Sequence, residues 1–130
     1  MKIKKYRQWN WEFDYGEYEV DLNEDVAKSY AIAYYDRLNR LYRAELYGMG
    51  WRIDDEADAI TLTATYDYFC DEDGRVLQKR SADEFGRPDL IVDFEYKNGG
   101  VLETAWNPGN GESNSRYRVM RNDEAQKRTF

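Results

Sequence analysis

Residues 23–48, NEDVAKSYAIAYYDRLNRLYRAELYG, decide the fold class because they admit two readings. As a helix, Asn23 is a good N-cap, acidic residues occupy the first turn, and Gly48 suits the position just past the end. Val26, Tyr30, Tyr34, Leu38, Leu41 and Tyr42 would then share one helical stripe. As strands, SYAIAYY and RLYRAELY flank a turn at DRLN. Local propensity leans slightly toward the helix. The choice is between a helix packed on an antiparallel sheet and a chain built almost wholly of hairpins.

The remainder reads as strands. In AITLTATYDYFC, Ile60, Leu62, Ala64, Tyr66, Tyr68 and Cys70 fall on one face, and Thr61, Thr63, Thr65 and Asp67 on the other. Gly74 supplies a turn and RVLQKRS returns as the second arm of a hairpin. After a turn at DEFGRP, Leu90, Val92, Phe94 and Tyr96 alternate against Asp93, Glu95 and Lys97. Asn98-Gly99 is a strong hairpin signal, with VLETAW as its returning strand. NPGNG, residues 107–111, is a Pro/Gly loop; RYRVM is one more short strand, and residues 121–130 are expected to fray. Upstream, WNWEFDYGEYEVDL predicts two strands around Gly16, with Trp9, Trp11, Phe13 and Tyr15 on one face of the first.

The turns repeat. Asp36-Arg37-Leu38-Asn39-Arg40-Leu41 has the form of Asp71-Glu72-Asp73-Gly74-Arg75-Val76, and Asp83-Glu84-Phe85-Gly86-Arg87 repeats the core. Lys97 to Val101 reads as a degenerate copy. Asp starts such a turn through its side chain, and Gly or Asn accepts the left-handed conformation. Arg is then expected on the exposed side and the aliphatic residue in the core. The pattern resembles the Rhs/YD-repeat family, whose hairpins carry Tyr-Asp-x-x-Gly-Arg-Leu and whose large members form shells around toxins. Tyr35-Asp36 with Asn39-Arg40-Leu41 matches most closely, with Asn for Gly. Cys70 and Ala82 stand at the Tyr position of the later copies, and Val76 and Pro88 at the Leu position. The resemblance implies a hairpin rather than a helix at Tyr34–Tyr47. The expected fold is therefore mainly β: an antiparallel meander of hairpins forming one twisted sheet or small sandwich, in a single domain over 1–130. A helix within 23–47 packed on the sheet is the alternative.

Composition narrows the chemistry. The 130 residues hold no histidine and one cysteine, which removes the commonest general base and any nitrogen/sulfur zinc site. The opening lysines lead into no apolar run, so neither a signal peptide nor a membrane span is expected. Cys70 reads as a small buried hydrophobe in a reducing cytoplasm. Asp71 to Gly74 resembles only the opening of a calcium loop and lacks its closing glutamate. Carboxylates are plentiful, yet nothing marks one pair as an acid/base couple. No catalytic residues, metal or cofactor are expected.

A net charge of −7 argues against nucleic acid as the partner. The charge is clustered, with acidic residues around Trp9, Trp11, Tyr15 and Tyr18. Aromatic rings amid charge suit a protein-binding hot spot. The expected function is a non-catalytic module that occludes a basic protein partner, as a bacterial immunity or inhibitor protein does. Trp9, Trp11, Glu12, Tyr15, Glu17, Tyr18 and Glu19 form the expected face, with Asp54, Asp55 and Glu56 as a second acidic patch. The alternatives are a structural domain that self-associates through sheet edges, and a carbohydrate-binding module that stacks sugars on the same rings.

Overall fold

The computed structural model describes residues 1–26, 28–49 and 60–119. Asp54, Asp55, Glu56 and the expected frayed tail lie outside the described residues. The described chain forms nine strands: β1 (Lys2–Asn10), β2 (Tyr15–Val20), β3 (Tyr30–Tyr35), β4 (Leu41–Met49), β5 (Ile60–Cys70), β6 (Val76–Ala82), β7 (Pro88–Lys97), β8 (Gly100–Trp106) and β9 (Ser113–Val119). They make one antiparallel sheet in the order β2-β1-β3-β4-β5-β6-β7-β8-β9. From β3 onward every strand pairs with its neighbour in sequence, so the sheet is a meander. No described segment is a helix, hence none is long and apolar enough to cross a membrane.

Within this stretch Tyr30–Tyr35 and Leu41–Met49 thus form the hairpin β3–β4, and the helical alternative is set aside. The reason is period two: Ala31, Ala33 and Tyr35 are all buried, while Tyr30, Ile32 and Tyr34 point to the other face. Leu38, central to the helical stripe, sits exposed at the hairpin tip.

Three turns share one construction. The amides of Asp36, Asp71 and Asp83 donate to the carbonyls of Arg40, Arg75 and Arg87, and Asn39, Gly74 and Gly86 donate back to the aspartate carbonyls. The residue before Arg takes a left-handed φ of 60°, 82° or 79° in turn, which only Gly or a short polar side chain accepts readily. This is a type I turn closed by a left-handed bulge, and the pairing register slips just before each: at Tyr34/Tyr35, Phe69/Cys70 and Ser81/Ala82. The aspartate supplies the rest. One oxygen of Asp71 accepts from the amides of Asp73 and Arg75, and the other accepts from the Arg75 guanidinium at 3.0 Å. The arginines therefore fold back onto their own turns instead of simply leaving for solvent. Arg40 also reaches the carbonyl of Asp71, tying one turn to the next along the sheet end. Leu41 and Val76 enter the core as expected, whereas Pro88 is exposed.

Two other connections depart from expectation. Asn98 and Gly99 both have positive φ, 54° and 73°, so they form a two-residue type I′ hairpin rather than a fourth copy of the Asp turn. The β1–β2 connection turns at Trp11–Asp14, not at Gly16, because Asn10 holds it: its side chain accepts from the amides of Glu12 and Phe13, and its carbonyl from Asp14. Gly16 serves packing instead. A methyl there would lie 2.2 Å from the Tyr6 ring, which rests on the bare glycine backbone.

The sheet's one buried face carries Tyr6, Ala33, Tyr35, Leu41, Ala44, Tyr68 and Val76, with Trp9, Leu46, Tyr66, Cys70 and Phe94 against them. Ala33 pairs with Ala44 across β3 and β4, leaving room above them for large rings from both sides. There the hydroxyls of Tyr6 and Tyr35 meet at 3.1 Å. Cys70 is half-buried in this face and points its thiol at the Leu41 carbonyl.

The turns predict a graded mutational series. Asp71→Ala should cost about 1–2 kcal/mol through its lost amide and guanidinium bonds, measured by urea unfolding. Asp83→Ala should cost least, because its Arg87 is mostly exposed. Equal losses at both positions would contradict this account of the turn.

Candidate functional site: a groove on the concave face

The β1–β2 loop does not stay over its own strands. It meets β5 and β6, so that Lys79 of β6 donates to the Trp11 carbonyl at 2.8 Å and to Asp14 at 3.0 Å. The Tyr68 hydroxyl donates to the same Asp14 oxygen at 3.0 Å. All three side chains are buried. Buried ions survive only when paired and hydrogen-bonded, so these contacts hold the loop in one place. For strands so far along the sheet from β1 to meet this loop, the sheet must curl toward it, so this face is concave.

The curl leaves a groove of about 670 Å³ beside the loop. Its floor is mainly apolar, from Tyr66, Val92, Phe94 and Ala105, with Lys79 and Ser81 of β6 among them, and its rim is polar. Trp11 and Glu12 stand on the loop side, with Asp89 at the start of β7 and Asn114 and Arg116 on β9. Successive strands put alternate residues here: Val92 lies opposite Ala105, Phe94 opposite Glu103, and Glu103 opposite Arg116.

The carboxylates around the groove differ in how they are held. Asp14 has Lys79 and Tyr68. Glu103 binds Arg116 at 2.6 Å and Arg118 at 2.9 Å. Glu12 and Asp89 have no cation against them among the described residues. Burial first, then the charges of Asp89 and Asp14, push the Tyr66 phenol upward. On the opposite, convex face, Glu45 accepts from Tyr34 at 2.6 Å and from Tyr47, and Arg43 bridges it to Asp67. That bond to Glu45, with burial, pushes the Tyr34 phenol to about 12. Among the described residues no cluster of three or more acidic or cysteine side chains is arranged to hold a metal, and the acidic Asp71 to Gly74 stretch is engaged in its own turn.

The expected binding face is divided by this arrangement. Trp11, exposed by 64%, and Glu12 sit together at the loop tip on the groove rim. Trp9 instead packs half-buried beside Tyr6. Tyr15 donates to Glu17 on β2, and Glu19 pairs with Lys4 at 3.3 Å. Tyr18, also on β2, is exposed in a left-handed conformation. Asp89, Phe94, Asn114 and Arg116 were absent from the expected face. The alternation of Leu90, Val92, Phe94 and Tyr96 marked their side of the sheet, but only the curl shows that this side is left open.

Two outcomes are expected. Asp14→Ala, which strands Lys79 in the interior, should cost about 3–5 kcal/mol in urea unfolding, and Asp14→Asn, which keeps an acceptor for Tyr68, should cost less. The second concerns pH. Burial, then Asp14, pushes the Tyr68 phenol well above its ordinary value, and burial does the same to Tyr35. Folding favours their neutral forms, so this stability is complete below the unfolded phenol value of about 10 and is lost as pH rises toward the native values. Phenolate absorbance should rise in two stages, exposed tyrosines first and buried ones only with unfolding. A single stage with the fold retained would refute it.

No protein-family model matches the chain, and no curated protein matches it. Among solved structures, it is similar to a DUF3836 family protein from Parabacteroides distasonis, with a TM-score of 0.53 at 9% identity over 68% of this chain and 87% of that one. A DUF3836 family protein from Bacteroides vulgatus gives a TM-score of 0.45 at 14% identity over 70% of this chain and 98% of that one. At such identities the first likeness extends to the fold alone: a β domain built like the Parabacteroides protein.

Proposed function

We propose that the chain is a non-catalytic binding module that occludes a basic protein partner, in the manner of a bacterial immunity or inhibitor protein. The observation that carries this reading is the pair of groove carboxylates, Glu12 and Asp89, with no ion-pair partner among the described residues, beside an exposed indole, Trp11. A lysine or arginine entering the groove would find both charge and a ring face, the two attractions that a cationic side chain can use together. The apolar floor supplies water-excluding contact around them, the usual setting of a binding hot spot. The net charge of −7 would steer a basic partner over a longer range, in a salt-dependent way. Glu17, Tyr18 and Glu19 extend the acidic aromatic surface along β2, while Trp9 and Tyr15 support it. The mechanism is stoichiometric cover of a basic site on the partner and needs no turnover.

The test is affinity capture from the host lysate followed by titration calorimetry on the retained protein. One basic partner binding at equal stoichiometry is expected. Glu12→Lys/Asp89→Lys should weaken it more than tenfold, about 1.4 kcal/mol or more, with circular dichroism unchanged. Undiminished affinity of a folded double variant would remove the groove from the interface.

A further inference from the structure

An open sheet has two edges, and here they differ. The β2 edge is blunted: Tyr18 has a φ of +57°, and no pair forms there between Tyr6–Glu19 and Gln8–Glu17, although the register is the same on either side. It also carries Glu17 and Glu19, and charges are among the devices that stop edge strands from pairing further. Among the described residues the β9 edge has no such protection. Its register with β8 runs unbroken from Trp106–Ser113 to Gly100–Val119, without proline or a positive φ. Every residue of β9 but Arg118 is exposed. Its two arginines are no guard, since both are drawn back onto Glu103 of β8.

The hydrogen-bond phase of β9 follows from its hairpin. The Asn107 amide donates to the Glu112 carbonyl, so 107 and 112 form a hydrogen-bonded pair, and bonded pairs recur at every second residue. Asn114, Arg116 and Arg118 therefore direct their backbone groups at β8. Ser113, Ser115, Tyr117 and Val119 direct theirs outward, as a row of donors and acceptors without partners among the described residues.

We infer that this edge pairs with β9 of a second copy of the chain, antiparallel about a two-fold axis at Ser115. Among axes at Ser115, Arg116 and Tyr117, charge selects the first. Centred on Arg116, the pairing would set Arg116 opposite its own copy; centred on Tyr117, it would set Arg116 opposite Arg118. Like charges directly opposite destabilise a sheet. Centred on Ser115, Asn114 faces Arg116, Ser113 faces Tyr117, and Arg118 faces Glu112, an opposite charge. The outward backbone groups then meet in bonded pairs at 113–117, 115–115 and 117–113. The pairing joins two sheets edge to edge and leaves both concave faces uncovered, so it stands independently of the groove's proposed partner.

Sedimentation equilibrium on the full chain is the test. Weight-average mass should rise from 15.5 kDa toward twice that value with concentration, and Ser115→Lys should hold it at 15.5 kDa with circular dichroism unchanged. In a Cys70→Ser background, Ser115→Cys should form a disulfide dimer on oxidation, because Cα atoms of a bonded pair lie about 5.5 Å apart, within disulfide range. Glu19→Cys, on the other edge, should not. A wild-type chain that stays monomeric at high concentration would overturn the proposal. So would a dimer that Ser115→Lys leaves intact, or one cross-linked only through Glu19→Cys.

Discussion

The fold depends on one buried ion pair with a tyrosine attached. A single antiparallel sheet can bury one face only if something lies on it, and this chain has no described helix or second sheet to do so. Its own β1–β2 loop takes that place, anchored by Asp14 on Lys79 and Tyr68 and by Lys79 on the Trp11 carbonyl. Apolar contact alone would hold a short loop poorly, because it has little area to bury. A charge pair removed from water is intolerant of separation, and that intolerance fixes where the loop sits. The alanines of β3 and β4 are the other half of the arrangement: without side-chain bulk at Ala33 and Ala44, the rings of Tyr6, Tyr35 and Tyr68 gather over them.

Turn chemistry does a different job. Each Asp-x-x-Gly/Asn-Arg turn satisfies its own backbone and clamps its own arginine, so each hairpin is specified locally. Local specification suits a meander, where each strand needs only its predecessor. The geometry of these turns is a property of this chain.

The acidic residues fall into groups with separate roles. Those of the turns hold arginines, Glu45 and Glu103 tie neighbouring strands together, and Asp14 organises the interior. Carboxylates so engaged are unavailable to a ligand. Glu12 and Asp89 are left at the groove, and they come from positions 77 residues apart in sequence, Glu12 in the loop between β1 and β2 and Asp89 just inside β7. The exposed indole of Trp11 gives them a hydrophobic neighbour that a purely solvated acidic surface would lack.

Much of this was legible in the residues. The alternation of Ile60 to Cys70 and of Leu90 to Tyr96 determined strands and their faces, because side chains alternate with a strict period of two. The Asp turns and Asn98-Gly99 determined where the chain reverses, because left-handed backbone admits few residue types. Trp11 and Glu12 could be singled out from their chemistry, and both stand on the groove rim. What the sequence could not determine was anything set by the curl. Asp14 and Lys79 are 65 residues apart and each looks like an ordinary surface charge; only the tertiary structure makes them a buried pair. Gly16 has the look of a turn residue, yet its purpose is the Tyr6 ring that lies on it. The open groove and the difference between the two sheet edges were decided in the same way, by long-range packing that no local pattern encodes.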